Sequence, residues 1–160
     1  MAGEASTKPP ADSEHHEAQT PPPGEPINLI AFCCNWCSYA GADLAGVSRL
    51  QYPPNVKIIR VMCTGRIEPE FLLHAFELGI DGVLVCGCHI GDCHYISGNE
   101  KAEVRINTLK KLMDMIGIDS RRLRLEWVSA SEGTRFAETV KDFKEQIEKL
   151  GKNKIYIAQS

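Results

Sequence analysis

From Ile27 onward the apolar residues of this chain follow two alternating rhythms. Residues 27–32 (INLIAF), 56–62 (VKIIRVM) and 82–85 (GVLV) are short apolar or β-branched runs, each leading straight into a cysteine. They read as strands buried on both faces. Residues 122–128 instead alternate, with Leu123, Leu125 and Trp127 on one side and Arg122, Arg124 and Glu126 on the other, the pattern of an edge strand. Between these runs the period lengthens. Pro69 opens a helix carrying Phe71, Leu72, Ala75 and Phe76 that stops at Gly79. Ser97 and Glu100 spell a capping box ahead of a longer helix with Ala102, Ile106, Leu109, Met113 and Ile116, ended by Gly117. Ser129 and Glu132 repeat that signature before Phe136, Val140, Phe143, Ile147 and Leu150, ended by Gly151. Residues 41–50 supply one more helix, weakened by two glycines. The apolar stripes are core faces. The order β-α-β-α-β-α-β-α predicts an α/β fold, a short parallel sheet of about four strands with helices on both faces, Rossmann-like or flavodoxin-like.

Composition changes the picture at the N-terminus. Residues 1–26 hold six of the nine prolines and carry Glu4, Asp12, Glu14, Glu17 and Glu25 against Lys8 alone, a net −4. Such a segment buries too little apolar surface to offset the entropy of ordering, so it is expected to be a disordered tail, with His15 and His16 solvated in it. The domain proper is expected over 27–151, with 152–160 as a C-terminal extension. The whole 160-residue chain has a formal charge of −3, which gives no reason to expect a nucleic-acid partner. No run of about 18 apolar residues suggests a membrane span. The N-terminus shows no secretory pattern, so a cytosolic, reducing setting is expected.

The candidate chemistry lies in seven cysteines, an odd number that full internal pairing cannot satisfy. Cys34-Asn35-Trp36-Cys37 is a C-x-x-C preceded by Cys33; Cys63 opens Cys63-Thr64-Gly65-Arg66; Cys88 and Cys93 form a C-x4-C with His89 and His94 behind them. If the strands are parallel, these cysteines follow strand ends on one rim of the sheet, where ligands of such folds sit. Cys34, Cys37, Cys63, Cys88 and Cys93 therefore offer five thiols to a four-thiolate centre, either a [2Fe–2S] cluster or zinc. Glycines 41, 65, 87 and 91 flank them and would let backbone N–H groups approach sulfur, and the domain has a core without a metal staple; both tilt the reading toward iron–sulfur. Cys33, next to Cys34 on an extended chain, and Cys86 are read as core thiols. His89 and His94 are read as outer donors or partner contacts rather than Rieske-type ligands, His74 as structural, Arg66 as a candidate counter-charge, and Trp36 and Tyr95 as packing or partner contacts. Two other functions stay open: a thiol–disulfide exchanger using Cys34 and Cys37, and a zinc-stapled scaffold. No dinucleotide or phosphate-loop motif is present, and no Ser/His/Asp set stands out from the background.

Residues 33–43 (CCNWCSYAGAD), 60–66 (RVMCTGR), 87–98 (GCHIGDCHYISG) and 127–133 (WVSASEG) resemble the delta subunit of methyl-viologen-reducing hydrogenase, and the likeness extends from about Asn28 to Leu150. The resemblance implies an electron-transfer subunit rather than a catalyst in its own right. It would carry one [2Fe–2S] cluster on four of Cys34, Cys37, Cys63, Cys88 and Cys93. Its partners would be the large and small subunits of a nickel–iron hydrogenase, or a formate dehydrogenase, and the flavin-bearing A subunit of heterodisulfide reductase, in a complex that bifurcates electron pairs.

Overall fold

In the computed structural model, residues 26–155 are described. The acidic segment, apart from Pro26, lies outside them, as do His15 and His16. Four strands, β1 (Leu29–Cys34), β2 (Val56–Val61), β3 (Gly82–Gly87) and β4 (Leu123–Trp127), alternate with helices α1 (Ser38–Val47), α2 (Pro69–Glu77), α3 (Gly98–Met115) and α4 (Gly133–Leu150). Short 3-10 turns precede α2 (Thr64–Arg66) and β4 (Ser120–Arg122). The sheet is wholly parallel, in the order β2-β1-β3-β4, with Leu29 opposite both Val56 and Gly82, and Val83 opposite Leu123. This is the predicted α/β architecture, and its order matches the first four positions of the flavodoxin-like arrangement.

Side chains alternate across each strand, so the two faces build separate cores. Leu29, Ala31, Cys33, Leu84 and Cys86 pack with Phe136, Val140, Phe143 and Ile147 beneath α1 and α4. Phe32, Val83 and Val85 pack with Phe76, Ile106, Leu109 and Met113 beneath α2 and α3. β1 and β3 are buried on both faces, which accounts for their unbroken apolar runs.

Three local expectations are corrected. β2 is an edge strand with Lys57, Ile59 and Arg60 exposed, because β3 returns to pair with β1 and leaves β2 outside. The helix expected over 41–50 begins three residues earlier, at Ser38. Arg122 does not face outward from β4. It sits in the preceding turn, buried, and donates to the carbonyls of Asp81, Leu150, Gly151 and Lys152.

The capping boxes form only in part. Ser97 caps α3 by position without a side-chain bond, and Asn99 Oδ1 accepts the Glu100 N–H instead. Glu132 is the residue before α4; its carboxylate accepts the Ser129 N–H at 2.7 Å, which is one half of the reciprocal pair. Among the described residues no helix is long and apolar enough to cross a membrane.

Candidate metal centre

The parallel register lines up the carboxyl ends of β1, β2 and β3, and the chain leaves each strand through a cysteine-bearing loop. Cys34 is the last residue of β1, and a tight turn brings Cys37 back as the residue capping α1. Cys63 follows β2 and caps a 3-10 turn, its sulfur accepting the Gly65 N–H at 3.4 Å. Cys88 follows β3, and Cys93 lies on the loop from there to α3.

All five predicted thiols meet at this rim, in two groups. The sulfurs of Cys34, Cys37 and Cys88 lie within 4.8 Å of one another and are buried. Within that group the Cys34 and Cys88 sulfurs are 3.7 Å apart. The Cys63 and Cys93 sulfurs are 3.8 Å apart. Two thiolates on one tetrahedral metal, with bonds of about 2.3 Å, lie about 3.8 Å apart. Both separations are compatible with two thiolates on one ion, Cys37 lies beside the first of them, and the donor set, all sulfur, suits iron–sulfur or zinc.

The loops favour charge on two of these sulfurs, Cys34 and Cys93. The Cys34 thiol is lowered to about 6, first by a hydrogen bond from Cys37 and then by the N–H groups of Trp36 and Cys37, which together outweigh its burial. Burial pushes Cys93 up, but the backbone N–H groups of Tyr95, Asn99 and Gly98 outweigh it and bring the thiol below its usual range. Gly98 and Asn99 open α3, so the positive end of that helix points at the Cys93 sulfur. Cys37 is raised, chiefly as the donor to Cys34, and burial raises Cys88 to about 11 and Cys63 above its usual range. Neighbouring thiols that resist ionising together are what a cation would relieve.

Glycine serves this site differently from the expectation. Only Gly65 among the four expected positions donates to a cysteine sulfur. Gly41 lets α1 approach the Ser129 carbonyl, where a Cβ would sit 2.7 Å away; Gly87 makes room for Trp127 and Thr64; Gly91 (φ +92°) turns in open space. The glycine that the sulfurs require is Gly98. A Cβ there would collide with Cys63 Sγ and lie 3.2 Å from Cys93 Sγ.

Three further residues fix the loops. Buried Ser38 accepts the Cys34 N–H at 2.8 Å and donates to the Cys86 carbonyl at 2.6 Å, tying β1 to β3 just above the site. Buried Asn99 donates to the carbonyls of Cys88 and His89. Arg105 donates to the carbonyls of Gly65 and Ile67, holding the Cys63 turn against α3. Arg66 is exposed. All three positioning residues bond backbone carbonyls, so the local sequence held no sign of them.

The remaining candidates fall outside the sulfur groups. Cys33 and Cys86 face each other across β1 and β3 within the α1/α4 core. His89 Nε2 lies 2.7 Å from a Glu132 carboxylate oxygen, which is held at about 2 by the Ser129 N–H and then by His89. His94 stacks on Trp36 at 3.8 Å with planes 13° apart, and Tyr95 meets it edge-on. His74 pairs with Glu77 on the surface.

Residues 29–151 match the family described as methyl-viologen-reducing hydrogenase, delta subunit. The chain belongs to that family. It is 53% identical over 123 residues to the vhc iron-sulfur D subunit of F420-non-reducing hydrogenase from Methanococcus voltae, a stretch covering 77% of this chain and 85% of the relative. It is equally identical over 124 residues to the iron-sulfur D subunit of F420-non-reducing hydrogenase from Archaeoglobus profundus, covering 78% of this chain and 90% of that one. It is also 52% identical over 123 residues to the A subunit of ferredoxin:CoB-CoM heterodisulfide reductase from Methanosarcina mazei. There the match takes up 77% of this chain but only 16% of the relative, so a region like this domain lies within a much longer reductase polypeptide.

Proposed function

We propose that this chain is an electron-transfer subunit holding one [2Fe–2S] cluster on four of Cys34, Cys37, Cys63, Cys88 and Cys93. The observation that carries the reading is the convergence of thiols from three strand ends into a group of three and a pair, with sulfurs as close as 3.7 Å in the first and 3.8 Å in the second. When bound, such a cluster supplies one-electron transfer at a potential set by hydrogen bonds, charge and burial. The protein's part is to present thiolates, aim N–H groups at them and exclude water from the inner three sulfurs.

The electron donor in this reading is a hydrogenase, or a formate dehydrogenase, and the acceptor is the flavin-bearing A subunit of heterodisulfide reductase, in the cytosol. Relatives named as hydrogenase iron-sulfur subunits support the first, and the relative that carries this region within a reductase polypeptide supports the second. The loops around the sulfurs support a docking role. They expose Trp36, Met62, Ile90, Tyr95 and Ile96, each within three residues of a site cysteine. Ile96 is 85% exposed and holds φ +74°, a costly conformation for a β-branched residue that places an apolar side chain at the rim.

A thiol–disulfide exchanger fits less well. Its attacking thiol must reach a substrate disulfide, whereas Cys34 is 1% exposed, and the Cys63–Cys93 pair would have no task. Anaerobic purification with iron and acid-labile sulfide analysis tests the proposal. The expected result is two irons and two sulfides per chain with a brown-red colour. A colourless chain carrying zinc and no sulfide would contradict it.

A further inference from the structure

The sheet has two outer strands, β2 and β4, and among the described residues no further strand pairs with either. Such edges offer unpaired main-chain groups to other strands unless something guards them. β2 is guarded. It exposes Lys57 and Arg60 and contains no carboxylate, so a second β2 laid against it meets like charge. β4 is different. Its five residues, Leu123-Arg124-Leu125-Glu126-Trp127, complement their own sequence read in reverse. We propose that β4 is a homodimer interface, pairing antiparallel with β4 of a second copy of this chain about a two-fold axis at Leu125.

The main chain is set for that register. The Val128 N–H donates to the Gly87 carbonyl on β3. Main-chain groups in a parallel ladder turn alternately to either side, so those of Arg124 and Glu126 also turn toward β3. Those of Leu123, Leu125 and Trp127 turn to the open edge. The Leu123 N–H is taken by the Ser120 carbonyl, which leaves the N–H groups of Leu125 and Trp127 to pair outward. With Leu125 opposite Leu125, each copy's Leu123 stands opposite the other's Trp127. All these positions have edge-facing carbonyls, as the hydrogen-bonded pairs of an antiparallel ladder require.

The side chains agree with it. On the α4 face this register sets Arg124 of each copy opposite Glu126 of the other. These are the closer, non-hydrogen-bonded pairs of the ladder, where opposite charges stabilise. Within one chain Arg124 pairs with Glu126 and Asp142, and Glu126 lies 3.8 Å from Arg135. α4 therefore holds Asp142 at the level of Arg124 and Arg135 at the level of Glu126. The axis brings Asp142 of one copy toward Arg135 of the other. On the α3 face the half-buried Leu125 and Trp127 gain apolar neighbours. Slipping the register by two residues would set Arg124 against Arg124 or Glu126 against Glu126, so charge selects this one. The copies run antiparallel, so their sulfur rims point in opposite directions and stay open. β4 carries no cysteine, and the surface does not depend on what the sulfurs bind.

Sedimentation equilibrium on the anaerobically prepared full chain tests this pairing. The wild type is expected to approach twice the 17.7 kDa chain mass as concentration rises. Arg124→Glu and Glu126→Arg each set like charges at both crossings. Each is expected to raise the dimer dissociation constant about tenfold or more. Mixed together, the two variants regain opposite charges at both crossings and are expected to form a heterodimer. Circular dichroism checks that each variant folds. Hydrogen exchange on the wild type needs no variant: the amides of Leu125 and Trp127 should slow as concentration rises. A wild-type monomer at every concentration, a dimer indifferent to both reversals, or a dimer whose Leu125 and Trp127 amides stay unprotected would overturn the proposal. Protection of those amides only when a hydrogenase or reductase subunit is added would give the edge to another protein's strand, and would overturn the homodimer too.

Discussion

At the scale of single residues, Gly98 shows how tightly this rim is packed. Its missing side chain leaves the space in which the Cys63 and Cys93 sulfurs meet the first turn of α3. Gly98→Ala should push that turn outward, break the N–H bonds to Cys93 and lower iron content by about half or more, while the fold persists by circular dichroism. Full iron loading in this variant would contradict the account. Glu132 gives a pH signature. Its carboxyl is ordinarily near 4.5 and is held at about 2 in the fold, so it contributes stability that is complete above about pH 4.5 and disappears as pH falls through about 2. Glu132→Gln should therefore be less stable than wild type in urea at neutral pH, with the difference shrinking below pH 4.5. A difference independent of pH would show that the tie between Ser129, His89 and Glu132 does not depend on the carboxylate's charge.

At the scale of elements, the edge of the sheet opposite the sulfurs is fastened by buried polar groups. Asp81, fully buried ahead of β3, accepts the N–H groups of Asn28 and Asn153 and lies 3.3 Å from Lys152 Nζ, while Arg122 collects four carbonyls. This network binds the residues after α4 to the starts of β1 and β4. Arg122→Ala strands those carbonyls and should cost about 3 kcal/mol in urea unfolding, with no change in iron content. A loss below about 1 kcal/mol would mean that the clasp is incidental.

The same scale shows what the sequence made legible. The strand–helix order and the cysteines at three strand ends could be read directly, because burial on both faces leaves unbroken apolar runs that break off at the loops. The edge position of β2 could not, since sheet order depends on where distant crossovers land; Lys57 and Arg60 were the one local hint. Arg122 fits the alternation of β4, yet its partners lie more than 25 residues away. Gly98 closes the 87–98 motif with no visible duty in the sequence, because only the folded loop brings Cys63 and Cys93 to it.

At the scale of the whole molecule, polar fastening and sulfur chemistry occupy opposite ends of the sheet, and the exposed apolar residues around the cysteines belong to the sulfur end. If that end meets a partner, Ile96 is the residue whose conformation is hardest to explain otherwise. Ile96→Asp should weaken association with the heterodisulfide reductase A subunit about tenfold or more without changing iron content. Unchanged affinity would move the docking face elsewhere. The central claim, that sulfurs from three strand ends hold a pair of irons, is tested most directly by iron K-edge X-ray absorption on the anaerobically prepared chain. The account predicts a first shell of sulfur alone and a clear iron–iron scattering path. Nitrogen or oxygen in the first shell, or no iron–iron path, would contradict it.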